Sequence, residues 1–424
     1  MLFKQAIKIS IILSLLTSLA IANTTKQSDA DNYKLLTISD IHLNANQKNI
    51  MESDPKGYNP KNDMDKDSFD KIMEKITEYN SSNLPNSVLY LGDAVGHDNT
   101  LKPKDRAEFV TKNETLIYKS LQKSFPNTPI INVFGNNDSA EKNYGSFESN
   151  NISPYTIAMK SGFKNGFLSS GEICDKDKKV FPCLINQNTH TGFFSIKLEN
   201  KLVLIGLNTV MYTDISSFSK EESNQQFDFL KNTLKNAKDN NQTVLIATHI
   251  PFGNNIYDGS NFFKKDYMNK YLKLIKKYHN QIAGILVGHT HIEELKILPF
   301  KDKVLGEYYT AGLSTSHGNS PSYKTYSIHK DSTEKWSIDD YIAYQLHSNK
   351  NGDFKLSELY SFAKSYCKEA YQNDINICLT KLNETQKTKD IFSKFLPKMT
   401  VDNPKYPVYK ANSPESIKVN TANI

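Results

Sequence analysis

Five short apolar runs in this chain are each followed, directly or after one glycine, by a side chain that can bind a metal ion. The runs cover residues 33–39, 88–91, 130–134, 243–248 and 282–287, and Asp, Asn or His follows each of them within two residues. Their length and composition are typical of buried β-strands. Because ligand sites of α/β proteins lie at the carboxyl ends of such strands, the pattern predicts an α/β fold with one such site.

The residues that follow the runs are of the types that hold transition metals. They are Asp40, His42, Asp93, Asn136, His249, His289 and His291. A lone histidine is more often a surface or hydrogen-bonded core residue, but the chain has only 10 His and four of them follow these runs. Imidazole and carboxylate ligands suit zinc, iron or manganese, and one carboxylate can bridge two ions. Side-chain alternation in an extended segment would place Asp40 and His42 on one side, as two ligands of one ion.

Amphipathic helices are predicted between the runs, as in strand–helix–strand units. Apolar residues recur at helical spacing over 68–80, 106–125, 221–237 and 266–278. Two further runs, 192–198 and 202–207, flank a short polar linker and predict a β-hairpin. Strands are also predicted at 304–311 and 323–328, whereas 351–399 has a helical pattern.

The first residues have the features of an export signal. Lys4 and Lys8 form a positive region before an uncharged, mostly apolar run, residues 9–22, whose end, Ala20-Ile21-Ala22, fits a cleavage site. The uncharged part of the run is short for a membrane span, which needs about 20 residues. We therefore expect residues 1–22 to be a cleaved signal peptide and the protein to be secreted or periplasmic, or lysosomal or extracellular in a eukaryote. No stable membrane insertion is expected.

Cysteine usage agrees with an oxidising compartment. The 4 Cys form two local pairs, Cys174 with Cys183 and Cys367 with Cys378. An even number of cysteines in an exported chain predicts two short-loop disulfides, and four reduced thiols are the alternative. No C-x-x-C motif is present in the sequence, which argues against a thiolate metal site.

The charge pattern argues against a nucleic-acid duplex as a partner. The formal net charge is +6, and 23% of the residues are charged, as in an ordinary soluble globular protein. Arg106 is the only arginine in the sequence. Proteins that bind nucleic acid usually bind bases and phosphates with bidentate arginine side chains, and this chain is too poor in arginine for such binding.

A set of short motifs, taken together and in order, resembles the calcineurin-like metallophosphoesterases. The motifs are D-x-H at 40–42, G-D at 92–93, G-N at 135–136, His249, and G-H-x-H at 288–291. The segments GDAVGHD (92–98), LNT (207–209), HIPFG (249–253) and NSPSY (319–323) are similar, more narrowly, to acid sphingomyelinase-like phosphodiesterases. The resemblance implies a two-sheet β-sandwich flanked by helices over 33–345, and we expect a C-terminal helical subdomain and tail over 346–424.

The resemblance also implies a role for each site residue. One ion would be held by Asp40, His42 and His291, the other by Asn136, His249 and His289, with Asp93 as the bridge. The two ions would be zinc, with iron or manganese as alternatives. His97 matches the family's histidine near the leaving group and is expected to be the main general acid. Asn137 stands where the family commonly has a second histidine, and its amide can donate a hydrogen bond to a substrate phosphate.

The implied activity is hydrolysis of phosphodiester or phosphoanhydride bonds in a small soluble phosphate ester, such as a nucleotide or a phospho-headgroup. The Gly-Asn-Asn-Asp form at 135–138 is similar to that of endopolyphosphatases, which makes polyphosphate hydrolysis the first alternative. Sphingomyelin in a bilayer is a less natural substrate, because only a short stretch lies between Ala22 and Tyr33, where acid sphingomyelinases carry a saposin-like domain. A non-catalytic, metal-bound binding module is the remaining alternative.

Overall fold

Two β-sheets, of six and seven strands, form the centre of the fold. The structure is a computed structural model, and it describes residues 31–46, 63–97, 101–163, 171–175, 180–317, 319–348, 353–368 and 373–385. The predicted signal peptide at 1–22, Asp98 and the tail beyond residue 385 lie outside the described residues.

Strands and helices alternate along much of the chain, as predicted. The strands are β1 (Asn32–Ile38), β2 (Ser87–Tyr90), β3 (Ile130–Asn132), β4 (Cys183–Gln187), β5 (Phe194–Glu199), β6 (Leu202–Leu207), β7 (Thr243–Thr248), β8 (Ile282–Val287), β9 (Leu295–Pro299), β10 (Val304–Tyr309), β11 (Ser322–Lys330), β12 (Trp336–Ser348) and β13 (Phe354–Ser361). The helices are α1 (Lys66–Asn80), α2 (Pro103–Ser124), α3 (Pro154–Ser161), α4 (Lys220–Asp239), α5 (Lys265–Tyr278), α6 (Phe362–Tyr366) and α7 (Ile375–Glu384). Single 3₁₀ turns occupy 209–212 and 279–281.

The strand order explains why polar residues distant in sequence meet. The six-stranded sheet has the order β13-β12-β11-β1-β2-β3, and the seven-stranded sheet β4-β5-β6-β7-β8-β10-β9. β1, β2 and β3 are parallel, and so are β6, β7, β8 and β10. The carboxyl ends of each parallel set therefore share one edge of their sheet.

The two sheets pack face to face. Alternate residues of each strand point to opposite faces of a sheet, so one face of each sheet packs against the other sheet. Leu35 of β1 belongs to the cluster between the sheets, whereas Leu36 belongs to the cluster under α1 and α2. Tyr308 of β10 and Tyr341 of β12 meet across the sandwich with ring centroids 5.6 Å apart. The predicted two-sheet arrangement with flanking helices is confirmed.

The helical pattern predicted over 351–399 is wrong at its start. Residues 354–361 form β13, which pairs antiparallel with β12 and extends the six-stranded sheet. The apolar residues have helical spacing in sequence, at Leu356, Leu359, Tyr360 and Ala363. The segment nevertheless pairs with the open edge of β12, where its side chains gain cross-strand neighbours. α6 and α7 follow as helices. The domain boundary after residue 345 stays a prediction, since β12 runs through it.

Both predicted disulfides are present. Cys174–Cys183 ties β4 to the segment before it, and Cys367–Cys378 joins the end of α6 to α7. Closing loops of this length stabilises a fold by about 2–3 kcal/mol in the chain-entropy description. Two such bonds suit an oxidising compartment.

A buried carboxyl on β10 supports the loop that follows β7. Glu307 is fully buried and accepts hydrogen bonds from the backbone N of Phe252 at 3.2 Å and from the hydroxyl of Tyr309 at 2.9 Å. Burial raises the pKa of Glu307 from 4.5 to about 8. The folded protein therefore keeps this proton over a pH range in which the unfolded chain has released it.

We predict that this proton makes the fold less stable as the pH rises. The contribution of Glu307 to the free energy of unfolding should fall between pH 4.5 and about 8, because the unfolded chain ionises this carboxyl first. Urea denaturation across that range should show a shallower decline for Glu307→Gln than for wild type. Glu221→Gln, on the exposed face of α4, is the matched control and should follow wild type. An unchanged slope in Glu307→Gln would contradict the assignment.

Candidate metal centre

The predicted ligands converge where the carboxyl ends of β1, β2, β3, β7 and β8 meet. The structure brings together Asp40, His42, Asp93, Asn136, His249, His289 and His291. All except His289 are at most 4% exposed. The six-stranded sheet supplies the first four residues and the seven-stranded sheet the three others, so the site lies across both sheets.

Asp40, His42 and His291 form the first group of donor atoms. The Nε2 atoms of the two histidines are 3.0 Å apart, and Asp40 Oδ1 lies 3.5 Å from His291 Nε2 and 3.8 Å from His42 Nε2. Asp40 Oδ1 is buried, and none of the described residues hydrogen-bonds it. A buried carboxylate oxygen without a partner costs free energy, and two imidazole nitrogens facing it are the donors a divalent cation takes. The group therefore fits a metal ion.

A second group is built around Asp93, and this carboxylate also faces the first. His249 Nε2 lies 3.3 Å from Asp93 Oδ1 and 3.1 Å from Asn136 Oδ1. His289 offers a ring nitrogen within 4.8 Å of the donor atoms of Asp93 and His249. The other oxygen, Asp93 Oδ2, lies 3.4 Å from His42 Nε2. One carboxylate thus presents one oxygen to each group, as a bridging ligand must.

The backbone at the ligand positions is left-handed. The φ angles of Asp40, His42, Asp93, His289 and His291 are 50°, 47°, 57°, 74° and 63°. Such conformations cost non-glycine residues about 1–3 kcal/mol each and are concentrated at functional sites. The expectation that an extended segment aligns the first two of these side chains is therefore wrong, although the two side chains do meet. A sharp turn after β1 brings them together.

Hydrogen bonds to the far side of each imidazole set its orientation. His42 Nδ1 is 3.2 Å from the carbonyl of Val95, and His249 Nδ1 is 2.7 Å from the carbonyl of Leu91. A carbonyl can only accept, so each Nδ1 carries a proton, and the neutral form of each ring then presents its Nε2 lone pair inward. This is the tautomer that a histidine ligand needs.

The Gly-Asn-Asn-Asp loop after β3 holds Asp93 in place. Asn137 donates from its backbone N to Asp93 Oδ1 at 2.8 Å and from Nδ2 to Asp93 Oδ2 at 2.9 Å. Asp138 accepts from the backbone N atoms of Asp93, Ala94 and Gly135. A Cβ at Gly135 would lie 2.2 Å from the backbone N of Asp93, so this close approach requires glycine. The contact expected between Asn137 and a substrate phosphate stays a prediction.

Arg106, the only arginine of the sequence, supports the same loop from α2. It is buried and donates from Nη2 to the carbonyl of Asn137 at 2.6 Å and from Nε to the carbonyl of Ser139 at 3.3 Å. Sequence reasoning used this residue only to argue about charge. Its isolation among many lysines was a signal, since a planar guanidinium donates from separate nitrogen atoms in a fixed geometry that a lysine does not have.

The electrostatics keep Asp93 ionised. Burial raises the pKa of the Asp93 carboxyl, but the imidazole of His249, followed by those of His42 and His289, lowers it well below its usual range. Burial and the neighbouring His249 lower the pKa of His289 to about 4, so this ring is neutral at ordinary pH. Burial and the charge of Asp93 raise the pKa of Asp138 to about 6. An ionised bridge and a neutral imidazole are the states that metal ligation requires.

His97 lies at the more open side of the centre. Its ring stacks on His42 with centroids 4.1 Å apart, and its side chain is 34% exposed. Asp63 accepts from the backbone N of His97 through Oδ2 and lies 2.8 Å from His97 Nδ1 through Oδ1. Sequence reasoning missed Asp63, which belongs to none of the motifs and is 34 residues from His97.

His317 is a second residue that sequence reasoning missed. Its ring centroid lies 3.9 Å from that of His291 and 6.3 Å from that of His97. The turn after β10 that carries His317 is shaped by Asn319, whose amide donates to the carbonyls of Gly312 and Ser314. The only sequence signal was a histidine just before the NSPSY segment.

Comparison with known proteins gives matches over most of the described chain. The sequence model of the calcineurin-like phosphoesterases matches residues 33–293. Sphingomyelinase phosphodiesterase D of Dictyostelium discoideum is 23% identical over 305 residues, 70% of this chain and 64% of that protein. Cyclic GMP-AMP phosphodiesterase SMPDL3A of Bos taurus is 26% identical over 265 residues, 61% of this chain and 54% of that protein. The chain spans less than two thirds of the length of either relative.

Among solved structures, a dimetal phosphatase from Danio rerio aligns with a TM-score of 0.45 and 11% sequence identity. The alignment covers 73% of this chain and 95% of that one. So low a similarity carries no argument about activity.

We predict that Asn137 supports metal binding through Asp93. Asn137→Ala removes the Nδ2 donor and should weaken the affinity for a divalent metal about 10- to 100-fold, the usual cost of losing an outer hydrogen-bond partner of a ligand. Titration of the metal-stripped protein against a chelating dye measures this. Asn232→Ala, at an exposed position of α4, is the control. Equal affinities in Asn137→Ala and wild type would contradict the prediction.

Proposed function

The chain belongs to the calcineurin-like phosphoesterase family, and we propose that it is a two-metal hydrolase of phosphodiester or phosphoanhydride bonds in soluble substrates. The observation that carries the proposal is the position of Asp93 between two groups of donors, 3.4 Å from His42 Nε2 and 3.3 Å from His249 Nε2. A carboxylate shared in this way suits two ions at the separation that phosphoester hydrolases use.

The residues that would hold the two ions fall into the two groups of donor atoms. Asp40, His42 and His291 would hold one ion, Asn136, His249 and His289 the other, and Asp93 both. We propose zinc, with iron or manganese as alternatives, because the donors are imidazole nitrogens and carboxylate or amide oxygens. When bound, such a pair supplies Lewis acidity and a nucleophilic water for attack on phosphorus.

The remaining steps belong to side chains of the chain itself. Asn137 and Asp138 hold the Asp93 carboxylate and its backbone, so that both oxygens keep their directions. His97 lies at the open side and would donate a proton to the leaving group. Asp63 lies against Nδ1 of His97. Nε2 is therefore the ring nitrogen of His97 that would donate the proton to the leaving group.

We also propose that the protein is exported. The proposal rests on the signal-like segment at 1–22 and on the two disulfides, which suit an oxidising compartment. Within the described ranges, no helix is both long and apolar enough to cross a membrane.

Polyphosphate hydrolysis is the second candidate function. The observation that favours it is Asn137 in a Gly-Asn-Asn-Asp loop, because the resemblance of this loop is to endopolyphosphatases. Hydrolysis of bilayer sphingomyelin ranks below both. A non-catalytic binding module ranks last, because every predicted ligand is present and brought to one place.

We predict metal-dependent turnover of bis-p-nitrophenyl phosphate. Chelation should abolish the activity, and a divalent metal should restore it. Loss of an outer hydrogen-bond partner of a ligand usually lowers metal affinity or activity about 10- to 100-fold. Asp93→Asn should lower metal content and activity by more than this, because one carboxylate serves both ions. Asp228→Asn, at an exposed position of α4, is the matched control. Full activity in metal-free protein would refute the two-metal proposal.

A substrate panel with metal content measured alongside separates the candidate functions. Nucleotides and other soluble esters should be hydrolysed faster than polyphosphate or sphingomyelin vesicles. Faster hydrolysis of polyphosphate would favour the second candidate. Two bound metal ions without turnover of any phosphate ester would make the chain a binding module.

We predict that His97 matters most for poor leaving groups. An alkoxide needs a proton as the P–O bond breaks, and a positioned histidine contributes about 10²–10⁴-fold to such a step. His97→Ala should therefore slow alkyl esters by that factor and p-nitrophenyl esters much less. His190→Ala is a matched control, because His190 is exposed and pairs with Glu148 at 2.6 Å. Equal losses for both ester classes, with metal content unchanged, would show that another group donates the proton.

A further inference from the structure

A cleft that takes no part in the metal centre lies between α4 and the strands β4, β5 and β6. Its volume is about 400 Å³. Pockets that bind small molecules typically have volumes of about 300–1,000 Å³. Gln242, which lines the cleft, directly precedes β7, whereas the predicted ligand His249 follows the other end of that strand. None of the predicted metal ligands is among the described residues that line this cleft.

Uncharged amide side chains make up half of the lining, and we call the cleft the amide cleft. Six of the residues that line it are Asn or Gln: Asn186, Gln187, Asn188, Asn232, Asn236 and Gln242. Among the described residues of the lining, none is charged and none is a histidine. An amide side chain both donates and accepts hydrogen bonds, as a hydroxyl group does. The lining therefore suits a neutral ligand rich in hydroxyl groups and offers no cation to a phosphate.

Two buried polar atoms of the amide cleft have no partner. Ser195 of β5 is 1% exposed, and none of the described residues hydrogen-bonds its Oγ. The side-chain Oε1 of Gln187 is likewise buried and without a partner in the described part of the chain. A buried polar atom without a hydrogen bond costs free energy, and a partner that forms the bond removes this cost. Both residues line the cleft, so a molecule bound there can supply the missing partners.

Other amides of the cleft are fixed in orientation. Asn188 Oδ1 accepts from the backbone N atoms of His190 and Thr191, each at 3.0 Å. Nδ2 is then the atom that Asn188 can offer to a ligand. On α4, Asn236 Oδ1 accepts from Asn240 Nδ2 at 2.8 Å, which orients that amide in the same way. Side chains held before binding lose little conformational freedom when a ligand arrives, and this favours affinity.

Two phenylalanine rings give the amide cleft an apolar surface. Phe193 and Phe229 line it and are buried, with ring centroids 4.7 Å apart. Val203 of β6 also lines the cleft. A sugar ring has an apolar C–H face that can pack on aromatic carbon, while its hydroxyl groups extend sideways. The cleft thus offers both kinds of surface that a sugar ring needs.

We propose that the amide cleft binds a neutral saccharide. The proposal is independent of the proposed hydrolase function, because the metal centre takes no part in it. A peptide is the other neutral ligand with many hydrogen-bonding groups, but peptide backbones bind best along the open edge of a sheet. The cleft extends over β5 and β6, which are interior strands of the seven-stranded sheet, and this favours a saccharide.

The test measures saccharide binding to the intact protein. The probes are maltose, cellobiose, lactose, α-1,2-mannobiose and N,N′-diacetylchitobiose, and N-acetylglutamine amide represents a peptide. Saturation-transfer NMR detects binding, and isothermal titration calorimetry gives the affinity. At least one disaccharide should bind with a dissociation constant in the millimolar range or below. Saturating inorganic phosphate, which would occupy the metal centre, should leave that affinity unchanged.

Variants at the rim of the cleft assign the binding to it. Asn186→Ala and Asn232→Ala, at exposed positions, should each weaken binding of that disaccharide about 2- to 10-fold, the usual effect of one lost neutral hydrogen bond. The double variant should lose more than either single one. Asn83→Ala combined with Asn127→Ala removes two exposed asparagines elsewhere and should bind as wild type does.

Ser195→Ala separates ligand binding from a structural role. It should weaken disaccharide binding about 2- to 10-fold. The thermal midpoint of the free protein should stay unchanged or rise, because the variant removes a buried hydroxyl that no described residue hydrogen-bonds. A lower midpoint without any change in affinity would show that this hydroxyl serves the fold and not a ligand.

Three results would overturn the proposal. The first is no binding of any of the disaccharides by wild type at tens of millimolar. The second is equal affinity in wild type and in the Asn186→Ala, Asn232→Ala double variant. The third is tighter binding of N-acetylglutamine amide than of every disaccharide, which would make the cleft a peptide site. Because each readout is binding, a protein without phosphoesterase activity would refute the proposed function and leave this proposal open to the same test.

Discussion

The rest of the site depends on the buried carboxylate of Asp93. A charge in the interior is tolerated only when its oxygens have partners. Asn137 donates two hydrogen bonds to it, Asp138 holds the backbone on either side of it, and His42 and His249 face one oxygen each. Three further features position the Asp93 carboxylate: the short turn after β2, the glycine at 135 and the guanidinium of Arg106.

The packing of the two sheets completes each set of donors. Asp40 and His42 follow β1 of the six-stranded sheet, but the third member of their group, His291, follows β8 of the seven-stranded sheet. The second group likewise combines Asp93 and Asn136 with His249 and His289. Neither sheet alone carries a full set, so the hydrophobic contacts between the sheets also hold the site together. The left-handed backbone at five ligands is maintained by that surrounding structure.

Asn137 shows how one change of residue redistributes roles. The resemblance implies a second histidine there, near the leaving group. Asn137 instead donates from both of its nitrogen atoms to Asp93, which leaves the open side of the site to His97 with Asp63 and to the ring of His317. Apart from His97, the residues on this side of the site lie outside the family motifs.

The sequence by itself determined the central strands, most helices and the identity of the candidate ligands. Each of these has a local signature: an apolar run, helical spacing, or a ligand-type residue directly after a strand. Tertiary structure alone decided that 354–361 is a strand, because its apolar spacing also fits a helix and the edge of β12 settled the outcome. It also decided the places of Asp63, Arg106 and His317, since the residues they contact at the site, His97, Asn137 and His291, are distant in sequence and not apparent from the neighbouring residues. Local patterns record what a segment can form, whereas long-range packing decides which side chains meet.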